Sequence, residues 1–463
     1  MIVTLVNTME VRAPALLIAA ALATSCATSS APDADPTSSP ITAQIVEPPR
    51  TTTSAAPTDP GLELRADVAG DPSAYDIATR GSFAVWWDPA FPETAATVPV
   101  LLALLAEVEA DAQCLGFGEL GTAEAGQYLN VYVHHPGDDR FPDFLGNGLG
   151  YSDEGIPYLA MPFGAHDDPN NVRHEAYHAL QSSSEYAVVD DDLDAQWIIE
   201  ASAEWYQQVW SDGDPRAFVT AGSVYATPQY SLWHLPESGR PDDPIDNDWL
   251  YGVRQYGAGT FLYYLTEVAG VDRSAVAGVY TANADVSAQE FLYDATGGER
   301  LGAAFADWAA GTAVGFDYLT DEQATIAMDE LAAFAGPDEI RPHVLTLSDP
   351  ISESFSPSPE DAPRAWGYNS IVIENISATT YSIRLDGDPT GSAGGASRLV
   401  ARVAIKDAAG DVQYLEVPMS TATTGELTVA AADDTEIYVI VAAVPATFGG
   451  TEGYDYELTV AAL

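Results

Sequence analysis

Two histidines and a glutamate in the order His174-Glu175-Ala176-Tyr177-His178 can do hydrolytic chemistry if the segment is helical. Positions i and i+4 stand one above the other on a helix face, so the two imidazoles can grip one cation. Glu175, beside that face, is then placed to act as a base toward water. A zinc ion kept open for catalysis takes three protein ligands and leaves a fourth position for water or substrate. The run Trp197-Ile198-Ile199-Glu200-Ala201-Ser202-Ala203-Glu204-Trp205 offers the third ligand, since Glu200 follows His178 by 22 residues, enough for a turn and an antiparallel return. Glu204 shares the face of Glu200, and two carboxylates on one ion would leave the water too little room. Glu200 is therefore assigned to the metal, and Glu204 to accepting the second ring N–H of a histidine.

Such residues need two helices and a sheet to hold them. Asp167-Asp168-Pro169 reads as the start of the first helix, with acidic residues and a proline where its first turn wants them. Ala176, Ala179 and Leu180 continue its apolar face, and the second helix spans Asp194 to Trp210. Upstream, Phe83 to Trp87 reads as a strand, Val98 to Ala112 as a helix, and Tyr128 to Val133 alternates as a second strand. Ile156 to Pro162 is a further strand whose prolines suit a sheet edge. An edge there could take up a substrate chain by main-chain pairing, or could simply be protected against aggregation. The order is that of an α+β catalytic domain, with a helix around Leu301, Phe305 and Trp308 closing it near Gly336.

Beyond Leu345 the period changes to two. Ser370 to Ile376, Tyr381 to Leu385, Leu399 to Ile405, Val412 to Val417, Glu426 to Val429, Ile437 to Val441 and Tyr454 to Val460 read as short strands between turn residues. That pattern predicts a C-terminal β-sandwich. The expected organisation is a signal segment over residues 1–26, a Ser/Thr/Pro/Asp-rich linker over 27–74, a catalytic domain over 75–344 and the β-domain over 345–463.

The start of the chain reads as an export signal. Arg12 precedes the apolar run Ala13 to Leu22, too short to span a bilayer as a mature helix, and small residues lead to Cys26. Ala23-Thr24-Ser25-Cys26 resembles the bacterial lipobox, which implies lipidation of Cys26 and a cell-envelope lipoprotein. The alternative is a plain secretory signal. With Cys26 committed to lipid, Cys114 has no partner, so no disulfide is expected and Cys114 reads as a small buried thiol. The net charge of −52, with Lys406 as the sole lysine, excludes affinity for nucleic-acid backbones.

His174-Glu175-x-x-His178 together with Trp197-x-x-Glu200-Ala201-x-Ala203-Glu204-Trp205 resembles the gluzincins, zinc metallopeptidases whose third ligand is a glutamate on a downstream helix. The resemblance implies a zincin-like fold and a peptide or protein substrate, and it gives Glu204 the place of the acidic residue that supports the first histidine in thermolysin-like members. The segment from His174 to Gln181 also looks like the opening of several secreted bacterial families. Ile199 and Ala201 stand where aminopeptidases carry Asn and Gly, which argues for an endopeptidase. Tyr256-Gly257-Ala258-Gly259 resembles the entry to the helix that carries the transition-state tyrosine, which makes Tyr256 the expected oxyanion donor, with His234 as runner-up.

Two function classes follow. The first is an exported zinc metallopeptidase using Glu175 as general base. The second is a surface binding protein on a zincin scaffold that has lost catalysis. An intact Glu175 and an intact ligand set favour the first, and a non-peptide hydrolase is a weaker third.

Overall fold

The computed structural model describes residues 61–65, 71–136, 146–184, 193–234, 248–281, 286–334, 343–346, 352–374, 380–387, 398–432, 435–448, 450 and 452–463. The signal segment with Cys26 lies outside them. The chain divides into two compact units, taken here in turn. Among the described residues no helix is long and apolar enough to cross a membrane.

The first unit is built on β1 (Asp76–Arg80), β2 (Phe83–Trp87), α1 (Pro92–Cys114), α2 (Gly121–Glu124), β3 (Leu129–His134), β4 (Gly148–Tyr151), β5 (Pro157–Pro162) and α3 (Pro169–Ser183). Its sheet runs β1-β2-β3-β5-β4. The middle three strands are parallel, and the outer two are antiparallel to their neighbours. The parallel strands are apolar on both faces because both are covered. Helices α1 and α3 pack on each other and on the sheet. On the opposite face Trp86, Tyr132, Tyr158 and Tyr75 form an aromatic layer, which Leu62 joins. Asn130 is buried in that layer with its amide in use: Oδ1 accepts from Trp86 Nε1 at 2.8 Å, and Nδ2 donates to Arg65 O at 2.7 Å and Tyr132 Oη at 2.9 Å.

Two expectations change here. The strand before α3 is internal, because β4 lies outside it. Its prolines occupy the two end positions, Pro157 and Pro162, where a missing N–H costs the ladder little. Cys114 is exposed and disulfide-bonded, where a buried free thiol was expected. The last turn of α1 directs Gln113 and Cys114 outward, while Leu115 and Phe117 carry the chain back into the core.

The second unit opens with helices: α4 (Leu193–Trp210), α5 (Ser223–Ala226), α6 (Asp248–Gly257), α7 (Gly259–Tyr263), α8 (Ser274–Thr281, whose Tyr280 groups with the first unit), α9 (Ala288–Thr296), α10 (Gly298–Ala313) and α11 (Asp321–Phe334). Strands follow: β6 (His343–Thr346), β7 (Glu353–Phe355), β8 (Tyr368–Glu374), β9 (Thr380–Gly387), β10 (Leu399–Lys406), β11 (Val412–Glu416), β12 (Thr424–Ala430), β13 (Glu436–Ala443) and β14 (Tyr456–Ala462). They form the sheets β11-β10-β13-β8-β6 and β12-β9-β14-β7, antiparallel except for the β6–β8 pair. All seven strands read from the period-two pattern are present. The fold is α+β, with a mixed sheet first and largely antiparallel sheets toward the C-terminus. Strands β10 and β13 are buried on both faces, one of them covered by α10. β9 and β14 alternate between buried and more exposed residues. Tyr456 Oη of β14 donates to Asn369 Oδ1 of β8 at 2.9 Å, tying the second sheet to the first.

Candidate metal centre

Helix α3 begins where the sequence places it. The Asp168 side chain accepts from Asn170 N at 3.0 Å, and Pro169 opens the first turn. Every residue from Val172 to Gln181 is buried. Burial all round is unusual for a helix carrying this many polar groups, since ionisable side chains are rarely buried unless paired. His174, Glu175 and His178 are 7%, 6% and 8% exposed.

The two imidazoles meet at their Nε2 atoms, 3.1 Å apart, with their rings nearly perpendicular. Two histidine nitrogens on one tetrahedral zinc are expected about 3.3 Å apart, from bonds of about 2.0–2.1 Å at the tetrahedral angle. His178 is oriented from its other side. Its Nδ1 lies 2.7 Å from Gln181 Oε1, and Gln181 Nε2 donates to Tyr280 Oη at 3.3 Å. With the amide nitrogen turned to the tyrosine, the amide oxygen faces the ring. That network assigns the proton to Nδ1 and leaves the Nε2 lone pair for a cation.

Glu175 is held by an amide clamp. Asn147 Nδ2 donates to Glu175 Oε1 at 2.8 Å and to Asn171 Oδ1 at 2.8 Å, and Asn171 Nδ2 returns a bond to Asn147 Oδ1 at 3.1 Å. Gly148, at φ 139°, carries the first residue of β4 past the other carboxylate oxygen. A Cβ there would lie 3.6 Å from Glu175 Oε2, so the edge strand passes directly beside the expected base.

On α4, Glu200 is half-buried and Glu204 is 4% exposed, with Glu204 Oε2 accepting from Gln207 Nε2. The helix is anchored by Trp205, whose Nε1 donates to Thr266 Oγ1 at 2.9 Å, and by the close approach of α7. Gly259 permits that approach: a Cβ would sit 2.7 Å from Glu204 Cβ and 2.8 Å from Ala201 O. Among the described residues, His174, His178 and Glu200 form a group able to hold a metal ion, each offering one ligand atom, with these atoms all within 4.8 Å of one another. The donor set of two neutral imidazoles and one carboxylate suits zinc.

Tyr256 lies in the last turn of α6, half-buried, rather than at the start of a helix. The tyrosine-glycine signal marks an ending here, because α6 stops at Gly257 and α7 begins at Gly259. His234 stacks on Tyr230 with ring centroids 5.1 Å apart. The sequence reading did not foresee the positioning parts, namely Asn147, Asn171, Gln181 and Gln207. Asn171 and Gln181 carried a signal, being polar residues one turn either side of the motif on a helix with little exposed surface. Asn147 carried none, since it reaches Glu175 from the segment before β4.

No family model matches the sequence, and no curated protein matches it. Among solved structures, the pre-peptidase C-terminal domain of a collagenase from Bacillus anthracis is similar over 26% of this chain and 94% of that chain, at 11% identity and a TM-score of 0.17. A family GH115 4-O-methyl-alpha-glucuronidase with specificity for decorated arabinogalactans is similar over 75% of this chain and 54% of that chain, at 11% identity and a TM-score of 0.17. At those values neither likeness carries an argument about activity.

Proposed function

We propose that the chain is an exported zinc-dependent metallopeptidase of gluzincin type, with a zincin-like catalytic fold followed by a β-sandwich. His174, His178 and Glu200 are its metal ligands. The observation that carries this reading is the grouping of two histidines and one carboxylate, with Glu175 clamped beside the histidines. Zinc in such a site supplies a Lewis acid that polarises a carbonyl and brings the pKa of water toward about 7.

The chain's own residues account for the rest. Gln181 fixes the ring of His178 so that its Nε2 stays an acceptor. Asn147 holds Glu175 through Oε1, and the carboxylate takes a proton from the attacking water and passes it to the departing amine nitrogen. Among the described residues strand β4 is the edge of its sheet, beside Glu175, where an extended substrate can pair by its main chain. Glu204 orients a histidine, and Tyr256 donates to the developing alkoxide. Tyr256→Phe is expected to lower kcat with little change in KM.

The deciding experiment is zinc content per chain by elemental mass spectrometry, for the wild type and Glu200→Ala, with hydrolysis of an unstructured protein followed in parallel. About one zinc in the wild type, a large loss in Glu200→Ala, and hydrolysis that tracks the zinc support the proposal. A wild type that carries no zinc after dialysis against zinc at neutral pH overturns it.

Export through Cys26 has its own test. Intact mass of the membrane-extracted protein reads it: a diacylglyceryl adduct on Cys26 supports the lipoprotein, and an unlipidated chain overturns it.

A further inference from the structure

One positive charge in the second unit is buried without a negative charge beside it. Arg254, on α6, is 2% exposed. Its Nη2 donates to the carbonyls of Tyr230 at 3.2 Å and Ser231 at 2.9 Å, and its Nη1 donates to Thr227 Oγ1 at 3.1 Å. All three acceptors are neutral, and among the described residues the Nε–H has no acceptor. Arg65, Arg216, Arg273, Arg384 and Arg402, by contrast, each stand in an ion pair. Burial pushes the pKa of Arg254 down to about 10, which still leaves it a cation at neutral pH. The phenol of Tyr368 cannot balance it, because burial raises that pKa well above its ordinary value and keeps the group neutral.

Arg254 lines a cavity of about 10 Å³ together with Tyr230, Phe305, Trp308, Trp366 and Tyr368. The indole N–H of Trp366 is also buried without an acceptor. The cavity is therefore lined by a cation and by aromatic walls, and two of its lining residues carry an unused N–H donor. Its size admits a single small guest. A metal cation is repelled by the guanidinium. A water would satisfy the donors but would leave the charge uncompensated, and buried charges in proteins are as a rule paired.

We infer that this cavity is a binding site for one small monovalent anion, chloride in ordinary media, held by Arg254 Nε and Trp366 Nε1. The anion closes the hydrogen bonding of Arg254 and ties α6 to the 227–231 segment and to the start of β8. The site is independent of the proposed metal centre, because none of its lining residues is a metal ligand or the base. The net charge of −52 repels anions at low ionic strength, so anions have to be compared at constant ionic strength.

The test is the thermal unfolding midpoint of the full chain as sodium chloride, or sodium bromide, replaces sodium gluconate at fixed ionic strength. A saturable rise with one-site dependence is expected for both halides. Trp366→Phe, which keeps the ring and removes the donor, should weaken the chloride midpoint about tenfold, the effect of losing one hydrogen bond to a charge. Arg254→Met should abolish the dependence. Identical midpoints in chloride and gluconate, or an unchanged chloride response in Trp366→Phe, would overturn the proposal and assign the cavity to water. If Arg254→Met does not fold, Trp366→Phe alone decides.

Discussion

The helix α3 and the paired strands β10 and β13 are both buried nearly all round, yet they are buried with opposite kinds of residue. Along α3 the interior holds Asn170, Arg173, His174, Glu175, His178 and Gln181 among its apolar neighbours. In β10 and β13 the interior is Leu399, Ala401, Val403, Ala404, Ile437, Val439, Ile440 and Val441, and the one buried charge, Arg402, is paired with Asp307 at 2.5 Å. Polar burial costs stability unless every group finds a partner. Strands whose role is to pack avoid it, and a helix that gathers imidazoles and a carboxylate inside a fold carries it, on the proposed reading, for its chemistry. The difference marks where substitutions should alter reactivity and where they should alter only stability.

The sharpest break of that contrast is Glu175→Gln. It keeps the size and the bond from Asn147 but removes the proposed base, so if the proposed function holds, hydrolysis should fall by about 10²–10⁴-fold with zinc content unchanged. Zinc analysis beside a peptide-cleavage assay reads both, and loss of zinc with the activity would remove Glu175 from the role of base. The converse change is Ile440→Ala in β13, where Ile440 is fully buried. A cost of about 2–5 kcal/mol is expected in urea denaturation, with zinc content and the specific activity of the folded fraction retained.

Gly259→Ala lies between these extremes. The added methyl group meets Ala201 O and Glu204 Cβ, so stability should drop by about 1–3 kcal/mol as α7 is pushed off the helix that carries Glu200. If the proposed ligand set is right, zinc affinity should fall with it, and a Gly259→Ala protein of wild-type stability would contradict the packing. The smallest effect belongs to His166, before α3. It is fully buried, with Nε2 2.6 Å from Thr97 Oγ1 and Nδ1 accepting from Gly164 N at 3.2 Å. Burial holds its pKa below the usual 6.5, against the opposing charge of Asp167 and with a smaller contribution from His135. The unfolded chain therefore takes up a proton first as pH falls. Stability is full above about 6.5 and declines below it, by about 1.4 kcal/mol per pKa unit of difference. Urea midpoints between pH 7.5 and 5 should fall in the wild type and flatten in His166→Gln.

Much of this was legible in the chain because the signals are local. Asp168 and Pro169 set the start of α3, a regular i, i+4 spacing set its reactive face, and period-two runs set the strands from β8 to β14. What escaped was decided by partners distant in sequence. The prolines at 157 and 162 suggest an edge, but strand order depends on what pairs alongside, and Gly148-Leu149-Gly150-Tyr151 is too short and glycine-rich to be read as a strand. Tyr256-Gly257 marks a helix boundary without showing which side the helix lies on. Asn147 and Arg254 have ordinary local contexts, and their roles come entirely from the groups that fold around them.

On the proposed reading, in which a substrate chain pairs with β4, the brevity of that strand sets a limit on recognition. Only four residues form this edge, and alternation turns the main-chain groups of about half of them away from β5. A chain laid along it gains a ladder only about two residues long. So short a grip fixes direction and depth but discriminates little among sequences, and it favours flexible, already extended segments over folded ones. Selectivity would then be governed less by a reading frame of side-chain pockets than by which stretches of a target are loose enough to be presented.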